Sequence, residues 1–318
     1  MKPFCSLSLD LDNQWSYMKT HGDPGWESYP SYLDTVVPRA LKFLEERRLR
    51  ITFFVVGIDA GIESNRPALR ALAEAGHEIG NHSHHHEPWL HLYSDREVDE
   101  EIARAETEIE RATGSKPIGF RGPGFSVSPA VLETLARRGY LYDASTFPTF
   151  IGPLARAYYF SRSRLGPEEL KTRGALFGRF RDGFKPNKPY RWATPSGQLV
   201  EIPVTTMPGA RVPIHVSYLL YLAAVSPALA RAYFGTALAL CRATGTVPSL
   251  LLHPLDFMDL KDAPALGFFP AMSIPAERKM DLVGRALQTM GRHWDIGTME
   301  RHARSCSATA RILPGASA

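Results

Sequence analysis

The sequence predicts an α/β fold, built from parallel βαβ units in a barrel or doubly wound sheet. Strand-like runs alternate with helical periods across the first half of the chain. Helix starts and stops carry cap residues. Several polar residues able to do chemistry fall at or just after the ends of strand-like runs. At 318 residues the chain can bury a large core. Its apolar content of 44% and charged content of 22% are ordinary for a globular protein. Cys5, Cys241 and Cys306 are far apart and form no CxxC pair. They describe neither a disulfide framework nor a zinc ribbon, and they fit a reducing compartment. The N-terminus reaches a strand-like segment at once, with no signal-peptide hydrophobic run and no clean transmembrane span, so a cytoplasmic location is expected.

Taken in order, Phe4 to Asp12 reads as a strand in which Leu7, Leu9 and Leu11 alternate with Ser6, Ser8 and Asp10. Period two places Asp10 and Asp12 on one face. Residues 13–32, rich in Trp, Tyr, Gly and Pro, read as a long loop. A helix follows through Leu33, Val36, Val37, Leu41 and Leu44, then a buried-type strand, Ile51 to Val56. A second helix from Pro67 stops at Gly76, and a short strand, His77 to Ile79, runs into Gly80-Asn81-His82-Ser83-His84-His85-His86. Ser94-Asp95-Arg96-Glu97 is a capping box that opens a long helix ending at Gly114. Pro117 to Phe120 is a strand feeding Arg121-Gly122-Pro123-Gly124-Phe125, and Ser128-Pro129 opens a helix stopped by Gly139. Tyr140 to Asp143 is the next strand.

Residues 147–195 break this rhythm and read as a basic, aromatic insertion on the rim. Between Arg156 and Arg191 there are ten Lys and Arg against three acids, although the whole chain carries only +4. Such a local excess suggests an anionic partner. Leu199 to Val204 resumes a strand. Residues 214–243 are strongly apolar and, broken at Pro227, read as a helix pair. Ser249 to His253, a helix from Pro275 to Met290 and a strand from Trp294 to Thr298 close one domain over residues 1–305, and residues 306–318 read as a disordered tail.

Four of the eleven histidines sit within His82 to His86. Imidazole is the commonest metal-binding side chain, and a His cluster favours zinc and its first-row neighbours. A solvated His-rich loop would look much the same in isolation. In a barrel, however, Asp10, Asp12, His82, His86, Arg121, Asp143 and His253 would all meet on the face where strands end.

Those residues resemble, in order, the five motifs of the polysaccharide deacetylases of carbohydrate esterase family four, the NodB-homology group. Leu9-Asp10-Leu11-Asp12 resembles the first motif in its spaced form. His82-Ser83-His84-His85-His86 resembles the second, His-[Ser/Thr]-x-x-His. Arg121-Gly122-Pro123-Gly124-Phe125 resembles the third, with the aromatic one place late. Asp143 with Phe147, where Trp is usual, resembles the fourth, and Leu250-Leu251-Leu252-His253 the fifth. The resemblance spans about Phe4 to Ala303 and implies a distorted (β/α) barrel.

It also implies roles. Asp12, His82 and His86 would hold one divalent metal, zinc first, with nickel, cobalt or manganese as alternatives. Asp10 would take the proton from the attacking water. His253 would protonate the departing amine, supported by Asp143, while Arg121 would orient Asp10. Trp15, Gly124, Phe125 and Phe147 would line the substrate groove, with a backbone N–H near Gly124 serving the oxyanion. His84 and His85 would lie outside the ligand set. The implied activity is removal of an N-acyl group, acetyl foremost, from an amino sugar. Alternatives are a non-sugar amide hydrolase, an inactive carbohydrate- or lipid-binding module and, less well matched to the His cluster, a paired-Asp glycosidase. The basic insertion and the apolar helix pair suggest a sugar on a polyprenyl phosphate at an anionic membrane surface, with a soluble nucleotide sugar next. Basic–aromatic interleaving also suits single-stranded nucleic acid, but a deacetylase centre gives no reason for it, and no nucleic acid is expected.

Overall fold

Seven parallel strands follow one another around the sheet: β7 (Gly197–Glu201), β5 (Tyr142–Asp143), β4 (Gly119–Phe120), β3 (Glu78–Asn81), β2 (Thr52–Val55), β1 (Phe4–Asp10) and β8 (Ser249–Leu252). Beyond β7 the chain turns back onto β8. Thr205 N donates to Ser249 O (3.0 Å), and Ser249 N donates to Thr205 Oγ1 (2.8 Å), which brings the two ends of the run together. The result is the distorted (β/α) barrel expected from the sequence. This computed structural model describes residues 2–152, 180–306 and 310–315.

The helices form for the reasons their sequences give. α2 (Leu33–Glu45) buries Leu33, Val36, Val37, Ala40, Phe43 and Leu44 along one face. α3 (Gly57–Gly61) is a single short turn after β2, and α4 (Arg66–Glu74) packs Leu69 and Leu72 inward. α5 (Asp95–Thr113) opens on the full Ser94/Glu97 capping box and closes on Gly114, which has φ +73°. α6 (Pro129–Arg137) starts at Ser128, whose side chain accepts from Val131 N. α7 (Val216–Val225) and α8 (Pro227–Thr244) are the expected apolar pair, broken at Ser226-Pro227, where Ser226 caps α8. α9 (Ala276–Gly291) leads to β9 (Asp295–Gly297), which pairs with the start of β1. Among the described residues, no helix is long and apolar enough to cross a membrane.

Four expectations are corrected. Residues 13–32 are not all loop: α1 (Gln14–His21) forms because the Asn13 side chain accepts from Gln14 N and Gly22, at φ +86°, closes it. It buries Trp15, Ser16, Met18 and His21 on more than one face, so no simple amphipathic stripe announces it. The rim insertion ends as regular sheet, because β6 (Tyr190–Thr194) pairs antiparallel with β7. Its stretch 153–179 lies outside the described residues. The expected terminal tail contains β10 (Ile312–Pro314), paired parallel to β6 from Arg191 to Ala193, so that a free sheet edge orders a segment with little local signal. Between strand β9 and that tail an unexpected helix, α10 (Met299–Ser305), is capped by Thr298 and buries Met299, His302 and Ala303.

Candidate metal centre and active site

The end of β1 and the loop after β3 meet at one point. Asp12 Oδ1 lies 2.9 Å from His86 Nε2 and 3.2 Å from His82 Nε2, with all three side chains buried. They are the one group among the described residues whose ligand atoms lie close enough together, within 4.8 Å, to hold a metal. The loop adopts a tight turn, with Ser83 at φ +62° and His86 at φ +53°. Neither residue favours that region, so the surrounding contacts must impose it. Ser83 N donates to Asn81 Oδ1 (2.8 Å), and His86 N donates to Ser83 Oγ (3.2 Å). Glu101, reaching in from α5, accepts from His84 N (2.9 Å), His85 N (2.6 Å) and His85 Nδ1 (2.6 Å). His84 is buried against Gly57, where an added Cβ would sit 2.6 Å from His84 Nδ1 and 2.7 Å from Ala105 Cα. As expected, His84 and His85 stand outside the cluster.

The donor set fits one divalent cation. His82 Nδ1 donates to Arg121 O (2.6 Å), which leaves the lone pair of neutral His82 on Nε2, facing the Asp12 carboxylate. Two such nitrogens against one carboxylate oxygen require either protons or a cation between them. Two His and one carboxylate on a single side also leave coordination positions open for water and substrate. Burial acts to raise the Asp12 carboxyl, but the charges of His86 and His82 and hydrogen bonds from both hold it well below the usual range.

Asp10, 4% exposed, receives Arg121 Nη1 at 2.6 Å. The guanidinium is fully buried and completely engaged. Nη1 also reaches Ser8 Oγ (2.8 Å), Nε donates to Ala144 O (3.0 Å), and the plane lies over Phe54 at 4.4 Å. Removing one partner of such a buried pair typically costs about 3–5 kcal/mol, because the other charge is left uncompensated.

The structure separates residues that the sequence grouped. His253 ends β8, and its ring accepts from Asp256 N–H, which puts the hydrogen of neutral His253 on Nε2. Asp256 Oδ2 accepts from His253 N (2.8 Å), and Ser217 Oγ bridges to Asp256 Oδ1 (3.2 Å) and His253 Nδ1 (3.3 Å). Burial raises the Asp256 carboxyl, opposed first by the charge on His253. Asp143, expected in that role, instead accepts from Ser145 Oγ (2.6 Å) and faces Glu201, its register partner on β7. Glu201 also accepts from Trp192 Nε1 (2.8 Å) and Thr146 N (3.0 Å). Burial first, then the Asp143 charge, pushes Glu201 well above the ordinary carboxylate range.

Trp15 is also corrected. It is fully buried, with Nε1 donating to Asp59 Oδ1 (2.9 Å), and braces the edge of His86 at 6.4 Å instead of facing a groove. Gly124 is exposed at φ +59°, while Phe125 and Phe147, both half-buried, pack at 4.7 Å. Phe147 continues to His215 (5.7 Å), and His215 to His253 (5.8 Å), so an aromatic wall leads from Phe125 to the expected acid. Burial, and then the charges of His253 and Arg121, keep His215 neutral, well below its usual range. Tyr17, from α1, lies beside Asp12 and Asp256, its phenol raised by burial and by those carboxylates.

The sequence signals for the missed residues differ. Asp256 is an acid at the third position of a turn opening His253-Pro254, and Glu201 is an acid ending a strand on the same face. Glu101 is a charge on the buried stripe of Val98, Ile102 and Ala105. His215 and Tyr17 have no local signal.

Comparison with known proteins agrees with this arrangement. The polysaccharide deacetylase family model matches residues 23–142, a stretch that contains His82, His86 and Arg121. A peptidoglycan deacetylase of Helicobacter pylori is 31% identical over 109 residues, 34% of this chain and 36% of that protein. A peptidoglycan-N-acetylmuramic acid deacetylase of Bacillus subtilis is 30% identical over 110 residues, 34% of this chain and 41% of that protein. The match thus spans little more than a third of these relatives' length. Among solved structures, a Mycobacterium smegmatis protein assigned to the polysaccharide deacetylases superposes with a TM-score of 0.61 at 20% identity, covering 99% of this chain and 94% of that one. An allantoinase superposes with a TM-score of 0.55 at 16% identity, covering 95% and 89%. Fold and site together define a NodB-type barrel with a His₂Asp centre. Residues 23–142 are thus similar to the polysaccharide deacetylases, and the fold of the chain is similar to that of the Mycobacterium smegmatis protein.

Proposed function

We propose that the protein hydrolyses the N-acyl amide, acetyl foremost, of an amino sugar within a glycan, with one divalent metal, zinc first, held by Asp12, His82 and His86. The observation that carries this reading is the placement, beside that donor set, of a buried Asp10 paired with the Arg121 guanidinium. An inactive binding module would have no use for a buried Asp–Arg pair beside a metal-ligand set. When bound, the metal supplies Lewis-acid polarisation of the amide carbonyl and of water. Asp10 takes a proton from the attacking water as its oxygen bonds to the carbonyl carbon. A backbone N–H around Gly124 stabilises the oxygen that gains charge. The C–N bond then breaks, His253 gives its proton to the departing amine, and a carboxylate and an amino sugar leave. Asp256 is the carboxylate held beside His253. The Phe125–Phe147 pair offers a flat apolar face to a sugar ring.

The finer reading, a sugar carried on a polyprenyl phosphate and processed in the cytoplasm, is supported by the excess of cations in residues 156–191 and by three unpaired thiols suited to a reducing compartment. Metal analysis combined with mass-spectrometric screening of N-acetylated glycans, lipid-linked sugars and small amides tests all of this. Loss of an acyl mass with release of amine is expected, and it should cease on chelation. Turnover of small amides alone would replace the sugar reading with the amidase one, and a protein that retains no metal would overturn both.

A further inference from the structure

A separate cavity, of about 500 Å³, opens between the chain entering β6, the turn after β7 and the end of α8. It shares no lining residue with the centre described above. Its charged lining residues are Lys188, Arg211 and Arg311, with no Asp or Glu among the rest. Three arginines outside it are paired, by contrast: Arg39 with Asp262, Arg121 with Asp10, Arg138 with Glu106. Among the described residues, none of the three cations at this cavity joins an ion pair.

Arg211 is the decisive member. It is half-buried, and its Nη1 is fully shielded from solvent with no hydrogen-bond partner. Burial pulls its pKa below the ordinary arginine value, with no anion opposing the shift. The backbone that carries it is fixed and strained. Arg211 sits at φ +55°, its N–H bonds to Met207 O (2.8 Å), and its carbonyl accepts from Thr149 Oγ1 (2.8 Å). A shielded guanidinium nitrogen without a partner carries a desolvation cost, and an oxyanion reaching this side chain offsets it. Lys188 is brought against the end of α8, with its Nζ 3.7 Å from where a Cβ on Gly245 would stand, and the Thr244 and Thr246 hydroxyls complete that wall.

We propose that this cavity binds a phosphoryl group, a phosphate monoester or a diphosphate. Three cations lining one space suit a dianion with several acceptor oxygens better than a single carboxylate. The volume exceeds that of the phosphoryl group itself and leaves room for whatever bears it. The inference is independent of the amide-hydrolase reading.

Isothermal titration of the full chain with inorganic phosphate and pyrophosphate tests it. Saturable one-to-one binding is expected, tighter for pyrophosphate and weakened by added NaCl. The double variant Lys188→Ala with Arg311→Ala, both exposed and outside the catalytic set, should weaken binding by roughly 10-fold or more. Arg211→Gln should do so too, and if that variant fails to fold the double variant decides. Vesicles containing phosphatidic acid separate the sources. Binding to vesicles that pyrophosphate displaces assigns a lipid headgroup, whereas pyrophosphate binding with vesicles ignored assigns a soluble phosphate ester. No saturable binding of either anion, or equal affinity in the double variant, overturns the proposal.

Discussion

Two edges of the barrel bury carboxylates at the ends of strands, and they solve the problem in opposite ways. At the β1–β3 side two carboxylates meet nitrogen donors or ligands: Asp10 meets the Arg121 guanidinium, and Asp12 meets the His82 and His86 imidazoles. At the β5–β7 edge two carboxyl groups meet each other, Asp143 and Glu201, and both are raised by burial. Similar burial therefore leaves Asp12 lowered on one side and both Asp143 and Glu201 raised on the other. What decides the outcome is the neighbour across the sheet: Asp143 and Glu201 are register partners on adjacent parallel strands, while Arg121 reaches across from the end of β4 to β1. An ionised carboxylate beside a metal site can act as a base. A pair of raised carboxyl groups holds structure.

The largest test of this contrast is Asp10→Asn. Turnover should fall by about 10²–10⁴-fold while bound metal, measured by plasma mass spectrometry, stays near the wild-type level, because the three ligands are untouched. Near-full activity would remove the distinction between the edges at its source.

Next in size is the ligand set itself. His82→Ala and His86→Ala should each lose the metal and, with it, activity. His84→Ala, packed against Gly57, should keep the metal. Equal loss from all three would mean that the loop grips a metal as a flexible tract, with no defined triad.

The smallest effects sharpen the comparison most. Asp256→Asn should lower kcat by roughly 10–100-fold, the usual scale for a group that orients a reacting histidine, whereas Asp143→Asn should cost less than about 10-fold. The reverse order would return Asp143 to the role beside His253. Asp143→Asn also carries a pH signature. Glu201, raised in the folded chain, keeps its proton after the unfolded chain has released it. Wild-type stability should therefore fall as pH rises from the ordinary carboxylate range through the raised folded value. An Asn at 143 can accept from Ser145 and donate to Glu201, so Glu201 no longer faces a second carboxyl group. Denaturant melts of this variant should show a flatter profile and a gain on the order of 1–2 kcal/mol near pH 8. An unchanged slope would show that Asp143 does not help to raise Glu201.

How far the sequence could be read follows from the range of each interaction. Period, caps and strand-end placement are local. They were enough for parallel βαβ units in a barrel or doubly wound sheet, for the helix boundaries at Ser94, Gly114, Ser128 and Pro227, and for placing Asp10, Asp12, His82, His86, Arg121 and His253 at strand ends. Asp12 and His86 are far apart in the chain, yet both stand at strand ends, and a parallel barrel brings all such ends to one face. What each side chain meets once there is not local. Trp15 turned inward because Asp59 on α3 accepts its N–H. Asp143 was turned from His253 to Glu201 by the register of β5 against β7. Ile312–Pro314 became a strand only because β6 offered an open edge. The sequence by itself determined which residues arrive at the site, since that depends on hydrophobic periods of two and 3.6 residues. The tertiary structure decided which carboxyl groups are lowered, which are raised and which side chains merely brace, because those states depend on burial and on the one neighbour within about 3 Å.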